Sequence, residues 1–169
     1  MASRSTPTVK AQYVRNSQVE MTQLVLPNDT NQLGNLLGGR LMEWMDIAAA
    51  IAAQRHSNRI CVTASVDDLV FHQPIRLGEV VTLKTSVNRV FGTSMEVGVH
   101  VNAENQLTGD KRTANTAYFT FVAVDDRAIP VKVSPIIPQT AEEKRRYKAA
   151  LVRRNVRLQR RNAPKNNFS

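Results

Sequence analysis

The sequence predicts an α+β domain in which a curved antiparallel β-sheet wraps around one long central α-helix, with a second helix at the C-terminal end. Three observations carry this expectation. A glycine pair, Gly38-Gly39, runs straight into an apolar stretch rich in alanine. One strand-like segment precedes that stretch and four follow it, three of them alternating apolar and polar residues. No internal repeat and no second domain is visible along the 169 residues, a length that suits one core of ordinary size.

Taken in order, residues 1–16 are polar at the start and read as a flexible N-terminal segment without the apolar core of a secretory signal. Residues 17–26 make a first strand, stopped by the turn formers Pro27-Asn28-Asp29. The helix beginning at the glycine pair carries Leu41, Met45, Ala48, Ala49 and residues 51–53 on a very broad apolar arc. A helix apolar nearly all round is wrapped by other structure. The alanines at 48, 49, 50, 52 and 53 favour the helix and let a sheet approach its axis. Asp46 is the odd residue in this setting, because an ionised carboxylate taken out of water needs partners. Either a nearby donor simply satisfies it, or it does chemistry.

The strands after the helix are residues 61–71, rich in valine, then 80–90, 95–103 and 113–124. Val81, Leu83 and Val87 face one way, against Thr82, Lys84, Ser86 and Asn88. Val97, Val99, Val101 and Ala103 face in, against Glu96, His100 and Asn102 facing out. Such alternation marks half-buried antiparallel strands, and Gly92-Thr93 supplies a tight hairpin. In the last strand Ala117, Phe119, Phe121 and Ala123 point to the core, while Tyr118, Val122 and Val124 make the outer face partly apolar.

The net charge of +9 suggests nucleic acid until it is divided along the chain. Residues 1–139 hold 13 basic and 12 acidic side chains, and residues 140–169 hold 10 and 2. The single domain, residues 17–139, is close to neutral, and the excess belongs to a basic C-terminal helix and tail, 140–169. Arg145, Arg146, Lys148, Arg153, Arg154, Arg157, Arg160 and Arg161 lie there beside a stripe of Tyr147, Leu151 and Leu158. A helix packed on its own domain or on a neighbouring subunit is favoured over an RNA-binding one. Arginines there could also hold the phosphates of a small anionic ligand. Cys61 is the only cysteine, which excludes an intrachain disulfide and suits a reducing, cytoplasmic location. No run of about 18 apolar residues exists, so no membrane span is expected. Histidines 56, 72 and 100 have no ligand spacing, so no structural zinc site is expected. Asp67 and Asp68, adjacent in a strand, point to opposite faces and do not form a dyad. Cys61 with His56 or His72 has no nucleophile-elbow motif behind it.

The order of elements resembles a known family. The Asn35-x-x-Gly38-Gly39 helix start, Thr63-Ala64-Ser65-Val66-Asp67, Phe71-His72-Gln73-Pro74-Ile75-Arg76-Leu77-Gly78-Glu79, Ser94-Met95-Glu96-Val97 and Tyr118-Phe119-Thr120-Phe121-Val122 look like segments of the hotdog-fold acyl-CoA hydrolases. The similarity is greatest to the cytosolic long-chain and brain-type branch, and runs from residue 17 to about 160. It implies hydrolysis of an acyl-CoA thioester to a free fatty acid and coenzyme A, with no cofactor beyond the substrate's own coenzyme A. It also implies a homodimer, commonly three dimers to a hexamer; no membrane partner is expected from the chain's hydropathy, and its charge distribution disfavours a nucleic-acid partner.

The resemblance implies parts for particular residues. Asp46 is general base or nucleophile, and both routes are open to a carboxylate. The carbonyl oxygen gathers charge during attack, and unpaired amides at a helix N-terminus can stabilise it. Gly39 is the expected donor, with Arg40 the alternative, and Gly38 and Gly39 leave room for the acyl group to reach it. Asp46 lies about 10.5 Å along the axis from Gly39. The antiparallel helices of a dimer bring Asp46 of one subunit to Gly39 and Asn35 of the other, Asn35 orienting water or substrate. Thr63 and Ser65 would line the pantetheine arm. The hairpin Gly92-Thr93-Ser94, with Arg89, Lys111 and Arg112, would meet the nucleotide phosphates. Two alternatives stay open: a non-catalytic acyl-CoA sensor or RNA-associated module on the same fold, and a dehydratase, which would want a histidine at the helix start.

Overall fold

A computed structural model describes residues 10–67 and 69–162. It contains β1 (Gln12–Tyr13), β2 (Val19–Leu24), α1 (Gly38–Ser57), β3 (Ile60–Asp67), β4 (Val80–Phe91), β5 (Ser94–Glu104), β6 (Lys111–Val124), β7 (Ile136–Ile137) and α2 (Ala141–Asn162). β2, β4, β5, β6 and β3 form one antiparallel sheet in that order. The sheet curls around α1, which is the hotdog fold the sequence suggested. β2 and β3 are its two edges.

The residues that build this arrangement are those with the expected periodicity. Met45, Ala48, Ala49, Ala52 and Ala53 have no exposed surface, and neither have Leu83, Val97, Val101, Phe121 and Ala123. The alanines let the concave sheet close onto the helix, while Phe119 and Phe121 stack at 6.4 Å between ring centroids to fill the remaining depth. Each large side chain buried here stabilises the fold by about 1.5–3 kcal/mol. Asn58 ends α1 in the left-handed conformation, φ 50°, its N–H donating to the Gln54 carbonyl. Gly92 turns β4 into β5 at φ 76°, with Phe91 opposite Ser94.

Four expectations need correction. First, residues 12–17 are not a loose leader. Gln12 and Tyr13 pair in parallel with Ile136 and Ile137, Val14 is buried, and a 3₁₀ turn over Val14–Ser17 precedes β2. The Ser17 hydroxyl donates to the Val14 carbonyl and accepts the Val87 amide, which ties the turn to β4. Residues 1–9 and 163–169 lie outside the described residues. Second, β3 stops at Asp67 and not at 71. Beyond it the chain crosses to the N-terminal end of α1, where Asn115 Nδ2 takes the Val70 carbonyl at 2.7 Å and Arg112 the Pro74 carbonyl at 2.8 Å. These side-chain bonds replace a strand ladder.

Third, the outer face of the sheet is not all solvated. Ser86, Asn88 and Glu96 are buried there, Glu96 completely, because α2 lies across them. Arg153 of α2 grips Glu96 through Nε at 3.0 Å and Nη2 at 2.7 Å, and Asn88 Nδ2 donates to the same carboxylate at 2.9 Å. The Arg153 guanidinium also stacks 3.5 Å from the Tyr118 ring centroid, and Arg157 pairs with Asp67 at 2.6 Å. Alternation finds the face but not what covers it. Fourth, α1 is not covered all round within one protomer: Met42, Ile47 and Ile51 remain 39, 45 and 37 % exposed.

Candidate active site at the N-terminal end of the central helix

Leu37 caps α1 and the first helical hydrogen bond runs from the Leu41 N–H to the Leu37 carbonyl. The amides of Gly38, Gly39 and Arg40 therefore start the helix ahead of its own ladder, at the positive end of its dipole. Their geometry differs. A side chain on Gly38 would meet the Phe71 ring at 3.3 Å, whereas the space beside Gly39 is open. Gly38 thus accommodates Phe71, and of the two glycines expected to leave room for substrate only Gly39 has open space beside it. The Arg40 guanidinium is held by Asp29, at 3.1 Å, and Glu43, at 2.7 Å.

A cavity of about 320 Å³ opens at this end, lined by Asn31, Asn35, Leu41, Phe71, His72 and Asn115 among others. A tight turn delivers both asparagines of the N-terminal side. The Asn31 carbonyl accepts the Gly34 N–H at 3.0 Å, and the Asn31 N–H donates to the Asn35 carbonyl at 2.8 Å. The Asn31 side-chain oxygen accepts the N–H groups of Leu33 and Asn35, at 2.9 and 3.2 Å. That commitment leaves its Nδ2 as the donor. Asn35 is half-buried and makes no side-chain hydrogen bond among the described residues. His72 also reaches this cavity, though from the 69–79 segment and not from the helix.

Asp46 is half-buried two turns further along α1, and the Thr63 hydroxyl donates to its Oδ1 at 2.6 Å. A bulge between Thr63 and Ser65 changes the register of β3 against β6. Thr63, opposite Phe121, faces the helix, and Ser65, opposite Thr120, does not. Thr63 therefore belongs with the carboxylate. Ser65 is half-buried on the opposite face of the sheet.

The residues expected around the nucleotide phosphates do not cluster. Thr93 and Ser94 sit at the β4–β5 hairpin, where Ser94 pairs with Val122, whereas Lys111 pairs with Glu104 at the far end of β5. Ten residues of strand separate them, roughly 33 Å. Arg89 lies 4.1 Å from the Tyr147 ring centroid and donates to the Tyr147 carbonyl, and Lys111 pairs with Glu104 at 3.3 Å. Arg112 forks onto Glu79 at 2.6 and 2.8 Å. That guanidinium holds the Glu79 carboxyl below the usual carboxylate range. Cys61 has Ser57 beside it at 3.2 Å and no histidine, and burial pushes its thiol up. His56 is buried on the Ser134 carbonyl, at 2.7 Å, with its pKa lowered by burial. Asp67 is paired with Arg157, and Asp68 lies outside the described residues. No group of three potential metal ligands occurs among the described residues.

The fold and the helix-start cavity define a hotdog enzyme-type domain, and comparison with known proteins names the family. The signature of the Thioesterase superfamily matches residues 33–109. Acyl-coenzyme A thioesterase 11 of Mus musculus is 42% identical over 146 residues, covering 86% of this chain and 24% of its own. An uncharacterized acyl-CoA thioester hydrolase of Bacillus subtilis is 40% identical over 153 residues, covering 90% and 89%. This chain spans about a quarter of the mouse relative's length and nearly all of the bacterial one's. A hexameric acyl-CoA thioesterase superposes with a TM-score of 0.87 at 39% identity, covering 90% of this chain and 99% of the other. An acyl-CoA hydrolase of Staphylococcus aureus, solved with butyryl-CoA and CoA, gives 0.83 at 34% identity over 88% and 91%. Solved variants of that hydrolase replace an aspartate, an asparagine 15 residues before it and a threonine 17 residues after it. The chain belongs to the acyl-CoA thioester hydrolases of the thioesterase superfamily.

Proposed function

We propose that this protein hydrolyses fatty acyl-CoA to the free acid and coenzyme A, with Asp46 as the reacting carboxylate. The Thr63–Asp46 hydrogen bond carries the reading. A hydroxyl donating to one carboxylate oxygen fixes the group and leaves the other oxygen for water or the thioester carbonyl. Thr63 also follows Asp46 by 17 residues, the separation found in the substituted pair of the Staphylococcus aureus hydrolase. The Gly39 amide, with open space beside it, serves as the oxyanion donor, and Arg40 is its neighbour in the same turn.

The asparagine is the point at which two residues compete. Asn35 is the expectation from the sequence, and its carboxamide has no partner among the described residues. Asn31 precedes Asp46 by the 15 residues that separate the substituted asparagine and aspartate in that relative. Its side chain is also oriented by two backbone amides. These observations favour Asn31 as the amide that orients water or acyl oxygen, with Asn35 closing the turn that holds it.

Asp46 stands two turns along α1 from the end that carries Gly39 and these asparagines, so the working site is assembled between two protomers. The exposed face of α1 and the free edge of β3, with Ile60 56 % and Val62 47 % exposed, supply the surface for an antiparallel partner. Assembly of three such dimers is the fuller form of this reading. A cytoplasmic location suits the single cysteine, and no described helix is long and apolar enough to cross a membrane. The cations of α2 weigh against an RNA role, because Arg145, Arg146, Arg153 and Arg157 are each paired with a carboxylate of the same chain.

The test is thiol release from acetyl-, hexanoyl- and palmitoyl-CoA by wild type and by Asp46→Asn, Asn31→Ala and Asn35→Ala, each checked for assembly. Loss of at least a hundredfold in Asp46→Asn and Asn31→Ala, with a smaller loss in Asn35→Ala, is expected. An Asp46→Asn enzyme that turns over normally would remove the carboxylate from the mechanism.

A further inference from the structure

Among the polar groups of the cavity at the start of α1 that the hydrolytic chemistry does not use, one is buried with an unpaired acceptor. Asn115 is 1 % exposed, and its side-chain oxygen has no hydrogen-bond partner among the described residues. It stands opposite Val101 in β6, on the face that carries Ala117 and Phe119, so its carboxamide projects toward the helix side of the sheet. The amide orientation is fixed, because Nδ2 donates to the Val70 carbonyl at 2.7 Å, a bond the side-chain oxygen could not make. Leaving a buried acceptor unpaired is costly, so such an atom in a cavity wall calls for a donor.

The surroundings restrict what that donor is. The cavity is walled on its apolar side by Leu36, Leu41, Phe71 and Ile75, and it opens beside the helix amides that would receive the thioester oxygen. A fatty acyl chain has no donor. The pantetheine arm has two secondary amides and a hydroxyl, the first amide N–H lying two carbons from the sulfur. Resting on the thioesterase reading above, we propose that Asn115 is a substrate-binding residue whose side-chain oxygen accepts a hydrogen bond from a pantetheine amide. Arm and acyl group are then told apart by one acceptor, and the 69–74 segment, pinned by the other end of the same side chain, closes over the arm.

The test uses the full chain with Asn115→Leu, and with Asn115→Ser should the first not assemble. Calorimetry with S-butyl-CoA, a thioether that cannot be cleaved, reads binding. Hydrolysis of the butyryl thioester of N-acetylcysteamine, which keeps the amide, is compared with S-ethyl thiobutyrate, which lacks it. Binding of S-butyl-CoA about ten times weaker, with the substitution slowing only the amide-bearing ester, is expected for one lost neutral hydrogen bond. Equal slowing of both esters, or unchanged S-butyl-CoA binding, overturns the proposal and leaves Asn115 as a tether of Val70. Failure of the wild type to hydrolyse butyryl-CoA while still binding S-butyl-CoA in an Asn115-dependent way would overturn the thioesterase reading alone.

Discussion

At the scale of single residues, the candidate site depends on how much each polar group is committed before substrate arrives. Asp46 has one oxygen engaged by Thr63 and one open; Asn31 has its oxygen engaged and its amide open. A side chain held at one atom and free at another is positioned without being neutralised. Thr63→Val is therefore expected to lower kcat roughly tenfold with little change in KM, the rate equivalent of about 1.4 kcal/mol. Steady-state kinetics on hexanoyl-CoA would read it. Asp46 was legible in the sequence because a carboxylate in an alanine-rich helix is conspicuous. Its partner was not, because Thr63 looks like any strand threonine and only the register of β3 and its bulge aim it at the helix. Asn31, the proposed asparagine, was hidden differently: a turn brings two asparagines together, and the sequence pattern pointed to the one nearer the glycines.

Among the elements, α2 shows what charge arithmetic can and cannot say. The sum of +8 over 140–169 located the helix and favoured one packed on its own domain or a neighbour, although its apolar stripe was too sparse to say what would pack. The arginines do the packing, with Arg153 on both a buried carboxylate and a ring, and Arg157 on the last residue of β3. Alternation in β5 assigned Glu96 to the outer face correctly; burial followed only from where α2 lies, a tertiary fact without local signal. Removing one member of such a pair strands the other. Arg153→Met is expected to destabilise the protein by about 3–5 kcal/mol, and Arg153→Met with Glu96→Leu to recover much of that. Urea midpoints at one fixed protein concentration would measure both. The strands themselves were legible because buried and exposed positions alternate, whereas the 69–79 segment misled because its apolar run packs on the helix start and not in the sheet.

For the molecule as a whole, the single sequence carries both the carboxylate and the asparagine, and the proposed assembly separates them onto different chains at each site. That arrangement has an arithmetic signature. A dimer of Asp46→Asn protomers has no working site, nor has a dimer of Asn31→Ala protomers. A mixed dimer has one site with both defects and one with neither. Equal amounts of the two variants, unfolded and reassembled together, should recover about a quarter of wild-type turnover by random pairing of protomers. Silence in that mixture would mean that each site draws both groups from one chain. The same arithmetic reaches into inheritance: two defective alleles of such a protein in one cell can cover for each other, provided one is damaged at Asp46 and the other in the turn around Asn31.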